Sequence, residues 1–184
     1  FARYTHTVHT MSTNFNLRRL MNEVKGLANN EKANSLYFKI EQAGDNMYHW
    51  HGVIYGPDDS LYQGYAFKVD IELPNDYPEK ALVIKFVTPI QHVNVNKDGN
   101  ICMDILKKEW ASTLNMTTIL ISLVSLLNNP NTEDPFNHEL AELYKNNKSD
   151  YEKKIRYSCK KYGIPKTPNN QPSNQLNGTR ITSV

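Results

Sequence analysis

Cys102 is the residue in this chain best suited to covalent chemistry. It follows the tight turn at Asp98-Gly99, inside a long irregular stretch, with His92 and Asn94 a short way upstream. A loop thiol among polar side chains could act as a nucleophile. Cysteine is also among the most often buried residue types, so a packed structural thiol is the competing reading, and position alone leaves both open. The carboxylates of Asp104, Glu133 and Asp134 lie near the thiol loop or the turn at Asp134-Pro135, where acidic residues are also ordinary turn formers.

Other chemistries fit less well. Structural zinc asks for four nitrogen or sulfur ligands at short paired spacings, and the only other cysteine, Cys159, is remote in sequence and has no matching pair. The expectation is therefore no metal at the thiol loop. His49 and His51 flank Trp50, so strand alternation puts both on one face; an i, i+2 histidine pair can bind metal, but surface strand histidines are the simpler reading. No G-x-x-x-x-G-K-[ST] or G-x-G-x-x-G run offers a nucleotide phosphate a cradle, so an energy-requiring step would happen on another protein.

The chain has 184 residues, enough for one domain with tails. A 39% hydrophobic and 22% charged composition is that of an ordinary soluble domain, and a net charge of +2 gives no electrostatic case for nucleic acid or anionic lipid. Two cysteines point away from a disulfide scaffold and toward a reducing compartment, cytoplasmic or nuclear. The longest apolar stretch, Ile119 to Leu127, is interrupted by Ser122 and Ser125 and falls short of a bilayer span.

The elements that would carry these residues follow from periodicity. Leu17, Leu20, Met21, Val24 and Leu27 recur at helical spacing and predict an amphipathic helix over about 14–28. Residues 1–13 read as an N-terminal extension or a cloning remnant ahead of that helix. Period-two runs at Leu36 to Glu41, Met47 to Tyr55 and Ala66 to Leu73, then Leu82 to Val87, predict a four-stranded antiparallel meander with one buried face. Thr88 to Asn115 reads as loop, and long loops in compact domains are often functional. Asn115 caps a central helix burying Ile119, Leu120, Leu123, Val124 and Leu127, which Pro130 ends. A further helical region runs from about Asn137 to Tyr162 with a break near 146–148, and 163–184 is a Pro/Asn/Ser-rich tail outside the core. The domain proper is thus 14–162, of α+β class.

Three stretches carry a resemblance: MYHWHGVIYGPDDSLYQGYAFKVDIELPNDYP from Met47 to Pro78, HVNVNKDGNICMDIL from His92 to Leu106, and Trp110 followed by the long helix into NPNTEDP. Together they resemble the catalytic core of ubiquitin-conjugating enzymes, whose fold has an N-terminal helix, a four-stranded meander, an active-site loop, a central helix and C-terminal helices. The resemblance implies that Cys102 accepts ubiquitin or a ubiquitin-like modifier from an activating enzyme as a thioester and passes it to a substrate lysine, usually with a ubiquitin ligase. A thioester keeps its acyl energy and a good leaving group, so no metal or organic cofactor is called for. By the same resemblance, Asn94 stabilises the oxyanion or braces the loop, His92 holds the loop's shape, and Asp134 positions the incoming lysine. Asn131 and Asp104 belong to the same gate, and Ile121 lies on the helix face that packs the carried modifier.

The chain departs from the family pattern at several places. Val93 stands where the His-Pro-Asn motif has proline, which removes a fixed torsion from the loop that aims Asn94. The ligase-docking loops carry Glu79 and Lys80 where an apolar residue and prolines are usual, and Ala111, Ser112 and Thr113 after Trp110 in place of Ser-Pro-Ala. A charge at an interface centre weakens or redirects docking. The alternatives are a conjugating enzyme for another ubiquitin-like modifier, or a non-catalytic ubiquitin-binding relative; retention of Cys102, Asn94 and Asp134 opposes the second.

Overall fold

The computed structural model describes residues 2–166, with the side chains of 2–15, 32 and 33 outside the description. Helix α1 (Ala2–Asn29) is followed by a single helical turn, α2 (Glu31–Asn34). Strands β1 (Phe38–Gln42), β2 (His49–Tyr55), β3 (Tyr65–Glu72) and β4 (Val83–Phe86) come next, then a 3-10 turn at Asp104–Leu106. Helices α3 (Met116–Asn128), α4 (His138–Asn146) and α5 (Lys148–Tyr162) and a two-residue strand β5 (Ile164–Pro165) complete the order.

The sheet runs β1-β2-β3-β4 with every pair antiparallel, the meander that the alternating sequence predicts. Its inner face presents Phe38, Ile54, Phe67, Val69, Ile71, Ile84 and Phe86, all buried. Against them lie the apolar residues of α3, with Met116, Ile119, Leu120 and Leu123 at 1% exposure or less, so α3 is the central core helix. The Asn115 side chain accepts a hydrogen bond from the Thr118 amide at 2.9 Å, which is the cap its residue type promised. Gly99 has φ of 83° and packs so closely that a Cβ would meet the Phe86 carbonyl oxygen at 2.0 Å. Only glycine satisfies both constraints, and this fixes the turn that leads into Cys102.

Three expectations need correction. α1 begins at Ala2 rather than near 14, because no glycine or proline occurs before Gly26 to interrupt a helix once formed. Met21, placed on the stripe with Leu20 and Leu27, is 47% exposed, whereas those two are buried as expected. The stretch 88–115 is loop as expected, apart from the 3-10 turn, and is pinned by isolated bridges such as His92–Val95 and Val95–Ile101. Finally, Ile164 and Pro165 are not tail. They pair with Ala66 and Tyr65 on the stretch of β3 that β4 leaves uncovered, and the Lys166 amide continues the contact to the Gly64 carbonyl at 2.8 Å. The rest of the expected tail, 167–184, lies outside the described residues.

α1 is tied to the loop after β3 and to the start of α3 by one carboxylate. Glu23, whose side chain is 7% exposed, pairs with Arg19 at 2.7 Å. It also accepts from the Tyr77 hydroxyl at 2.8 and 3.0 Å and from the Met116 amide at 3.1 Å. The last contact places an anion at the first turn of α3, where unpaired amides and the helix dipole favour it. Arg19 in turn donates to the carbonyls of Thr113 and Leu114.

Candidate active site

Asn94 organises the loop that carries the thiol. The residue is 0% exposed, and its side-chain amide nitrogen donates to the backbone carbonyls of Asn131 at 2.7 Å and Asp134 at 3.2 Å. Its side-chain oxygen accepts from the Asn131 amide at 2.8 Å. Its own carbonyl accepts from the Cys102 amide at 2.8 Å, so one residue links the 131–134 turn to the cysteine. With both amide hydrogens and the oxygen engaged, the geometry is that of a brace.

His92 supports Asn94 from below. Its ring is fully buried, Nε2 lies 2.9 Å from the Leu126 carbonyl on α3, and Nδ1 accepts from the Asn94 amide at 2.9 Å. These partners select the neutral tautomer with the proton on Nε2. Burial drives the imidazole pKa down to about 4, only partly opposed by the Leu126 hydrogen bond. Val93 is also fully buried, and its carbonyl accepts from the amides of Phe136 and Asn137 at 3.0 and 2.9 Å. These bonds, which use only the carbonyl, tie the loop to the segment entering α4, while valine leaves φ at this position without the restriction of a proline ring.

The Cys102 thiol sits between two charges. Lys107 Nζ donates to Sγ at 3.0 Å, and the thiol donates to Asp134 Oδ2 at 3.2 Å. Burial pushes the thiol pKa above its ordinary value; Lys107 pulls it down and Asp134 pushes it further up. Lys107 also stands 5.1 Å from the centre of the Phe136 ring, which keeps the ammonium over the thiol. Sγ opens on a groove of about 200 Å³ lined by Asp104, Ile105, Ser122, Leu126, Asn131 and Asp134. Asp104 starts the 3-10 turn and pairs with Lys108 at 3.3 Å.

A buried-edge thiol flanked by a cation and a carboxylate, on a loop locked to the turn that carries the carboxylate, is suited to forming and discharging an acyl thioester. The family model described as ubiquitin-conjugating enzyme matches residues 19–159. The chain belongs to the ubiquitin-conjugating enzyme family. It is 48% identical over 146 residues to a protein of Acanthamoeba polyphaga mimivirus described as a probable ubiquitin-conjugating enzyme, with 79% of this chain and 92% of the relative covered. The α+β architecture described above is that family's fold.

Of the residues picked out by sequence, the structure brings Cys102, Asn94, His92, Asn131, Asp104 and Asp134 into one place. Ile121 is elsewhere, 50% exposed on the outer side of α3. Glu79 and Lys80 are exposed after the cis Tyr77-Pro78 peptide, and Lys80 pairs with Asp76 at 2.7 Å. Trp110 joins the loop after Tyr77 to its own, donating its indole N–H to the Pro78 carbonyl at 2.9 Å, while Ser112 and Thr113 are exposed beyond it. Cys159 is packed at 1% exposure, its pKa raised to about 11 by burial. Two contributors escaped sequence reasoning. Lys107 was not singled out, although its position five residues beyond Cys102 was a usable signal, and nothing in the sequence singles out Glu23.

Proposed function

We propose that Cys102 accepts the C-terminal acyl group of ubiquitin from the activating enzyme and, usually with a ubiquitin ligase, passes it to a substrate lysine. The observation that carries this reading is the placement of Sγ between Lys107 Nζ and Asp134 Oδ2 at the mouth of an open groove. In the loading step, Lys107 stabilises the thiolate that attacks the incoming thioester; the bond to the activating enzyme's sulfur breaks as the new one forms, and that sulfur leaves as a thiol carrying the proton Cys102 gave up. Once the sulfur is acylated, the thiol proton is gone from Asp134, and the carboxylate is free to accept a hydrogen bond from an arriving lysine amine and to take up its proton. Asn131 and Asp104 line the approach of that amine, and Asn94 and His92 keep the sulfur and the carboxylate in register.

The exposed Ile121 face of α3 supports packing of the carried modifier, and the loops holding Glu79, Lys80, Trp110, Ser112 and Thr113 support docking of a ligase. A charged Glu79 there favours a ligase with a basic or polar contact at that point. Two free cysteines suit a reducing compartment, cytoplasm or nucleus.

The test is to incubate the protein with ubiquitin, its activating enzyme and ATP and to compare gels with and without reductant. A reducible adduct present in wild type and Cys159→Ser, and absent in Cys102→Ser, is expected. No adduct with ubiquitin but one with another modifier and its own activating enzyme would change the cargo. No adduct with any modifier would overturn the catalytic reading.

A further inference from the structure

The outer face of the sheet, turned away from α3, carries a cluster unrelated to the thiol. His49 and His51 alternate onto this face from β2, and Asp70 of β3 stands directly opposite His51 in the register. His49 Nε2 lies 2.7 Å and His51 Nδ1 3.2 Å from the same Asp70 oxygen, and the ligand atoms of all three residues fall within 4.8 Å of one another. The two rings meet edge to face, 5.0 Å between centres, so neither blocks the other's nitrogen.

We propose that His49, His51 and Asp70 form a binding site for one divalent transition cation of the zinc class. Two imidazole nitrogens and a carboxylate are a donor set that such ions prefer over magnesium or calcium, which take oxygen. A tetrahedral ion with bonds of about 2.0–2.2 Å holds its ligand atoms about 3.3–3.5 Å apart, so small rotations of the three side chains suffice. The strands, with their paired backbones, keep the Cα positions fixed while this happens. Three protein ligands leave a fourth position facing solvent, open to water or to a donor from another molecule. Burial suits the arrangement as well: the Asp70 side chain is 12% exposed while those of His49 and His51 are 33% and 55%, so the cation enters from the solvent side onto a seated carboxylate.

Lys85 of β4 is the competing cation. Its ammonium lies 3.8 Å from the other Asp70 oxygen, and its side chain is 45% exposed, free to swing outward when a metal arrives. This gives the proposal a signature that a simple loss-of-ligand experiment lacks: removing Lys85 strengthens binding.

The experiment titrates the full chain with Zn2+ against a chromophoric chelator. Wild type is expected to bind one equivalent at this site, His51→Gln and Asp70→Asn to weaken it about tenfold or more, and Lys85→Gln to strengthen it. Thermal melts with and without Zn2+ check that each variant folds, and the Zn2+-dependent rise in Tm should disappear with the ligands. Because Cys102 is a soft competing ligand, the titration is repeated on Cys102→Ser, where binding should be unchanged. A wild type that binds no Zn2+, or binding that survives both His51→Gln and Asp70→Asn, overturns the site.

Discussion

The side-chain amide of Asn94 pairs with both backbone groups of Asn131, donating to its carbonyl at 2.7 Å and accepting from its N–H at 2.8 Å. A closed pair of this kind behaves like a rung of sheet built from a side chain. Asn94→Ala should leave the Asn131 groups unpaired, lowering stability by about 2 kcal/mol in chemical denaturation. It should also slow lysine discharge about a hundredfold through misplacement of the sulfur and Asp134. Slowed discharge with unchanged stability would instead assign Asn94 to the oxyanion.

The two charges beside Cys102 should separate in their effects. Lys107→Gln removes the interaction that lowers the thiol pKa, so alkylation by iodoacetamide at neutral pH should slow. Asp134→Asn removes one that raises it, so alkylation should quicken, yet lysine discharge should fall about a hundredfold for want of a proton acceptor. Alkylation and discharge changing in the same direction for Asp134→Asn, or unchanged alkylation for Lys107→Gln, would contradict these roles. Cys159 should stay unalkylated until the chain unfolds.

His92 makes stability depend on acid. Its folded pKa of about 4 lies below the ordinary 6.5, so the unfolded chain binds the extra proton more readily between those values. The contribution is therefore fully present above about pH 6.5 and is lost as pH falls through 4, amounting to about 3 kcal/mol in total. Imidazole resonances followed by NMR should show one histidine still neutral at pH 5; every histidine titrating near 6.5 would refute this.

Glu23 makes four contacts to three partners, Arg19, Tyr77 and Met116, from three segments of the chain, with little exposure of its own. Glu23→Ala should cost about 3 kcal/mol, because Arg19 and the Tyr77 hydroxyl lose their shared anion. Urea unfolding measures this directly, and a loss below about 1 kcal/mol would show that water replaces the carboxylate.

Much of this arrangement was legible in the sequence, and the failures have a common cause. The strands of the meander and α3 announce themselves because period and capping are local: alternation buries Phe67, Val69 and Ile71, and Asn115 caps where an asparagine should. The identities of Cys102, Asn94 and Asp134 came through family resemblance rather than spacing. What stayed hidden depends on contacts distant in sequence. Lys107 gains its meaning from Phe136 and Asp134, Glu23 from Tyr77 and Met116, and Ile164 from an unpaired stretch of β3. Met21 was misplaced because a helical stripe is wider than the contact it makes.

The carbonyl of Val93, held by the amides of Phe136 and Asn137, has a consequence for when this protein becomes chemically competent. A proline would restrict φ before the domain folds, whereas with valine the loop relies for its order on the fold itself, including a segment some forty residues further on. Reactivity at Cys102 then reports completed assembly of the whole domain. A chain in which that segment had not docked would hold a thiol without the Asp134 carboxylate that prepares it for discharge.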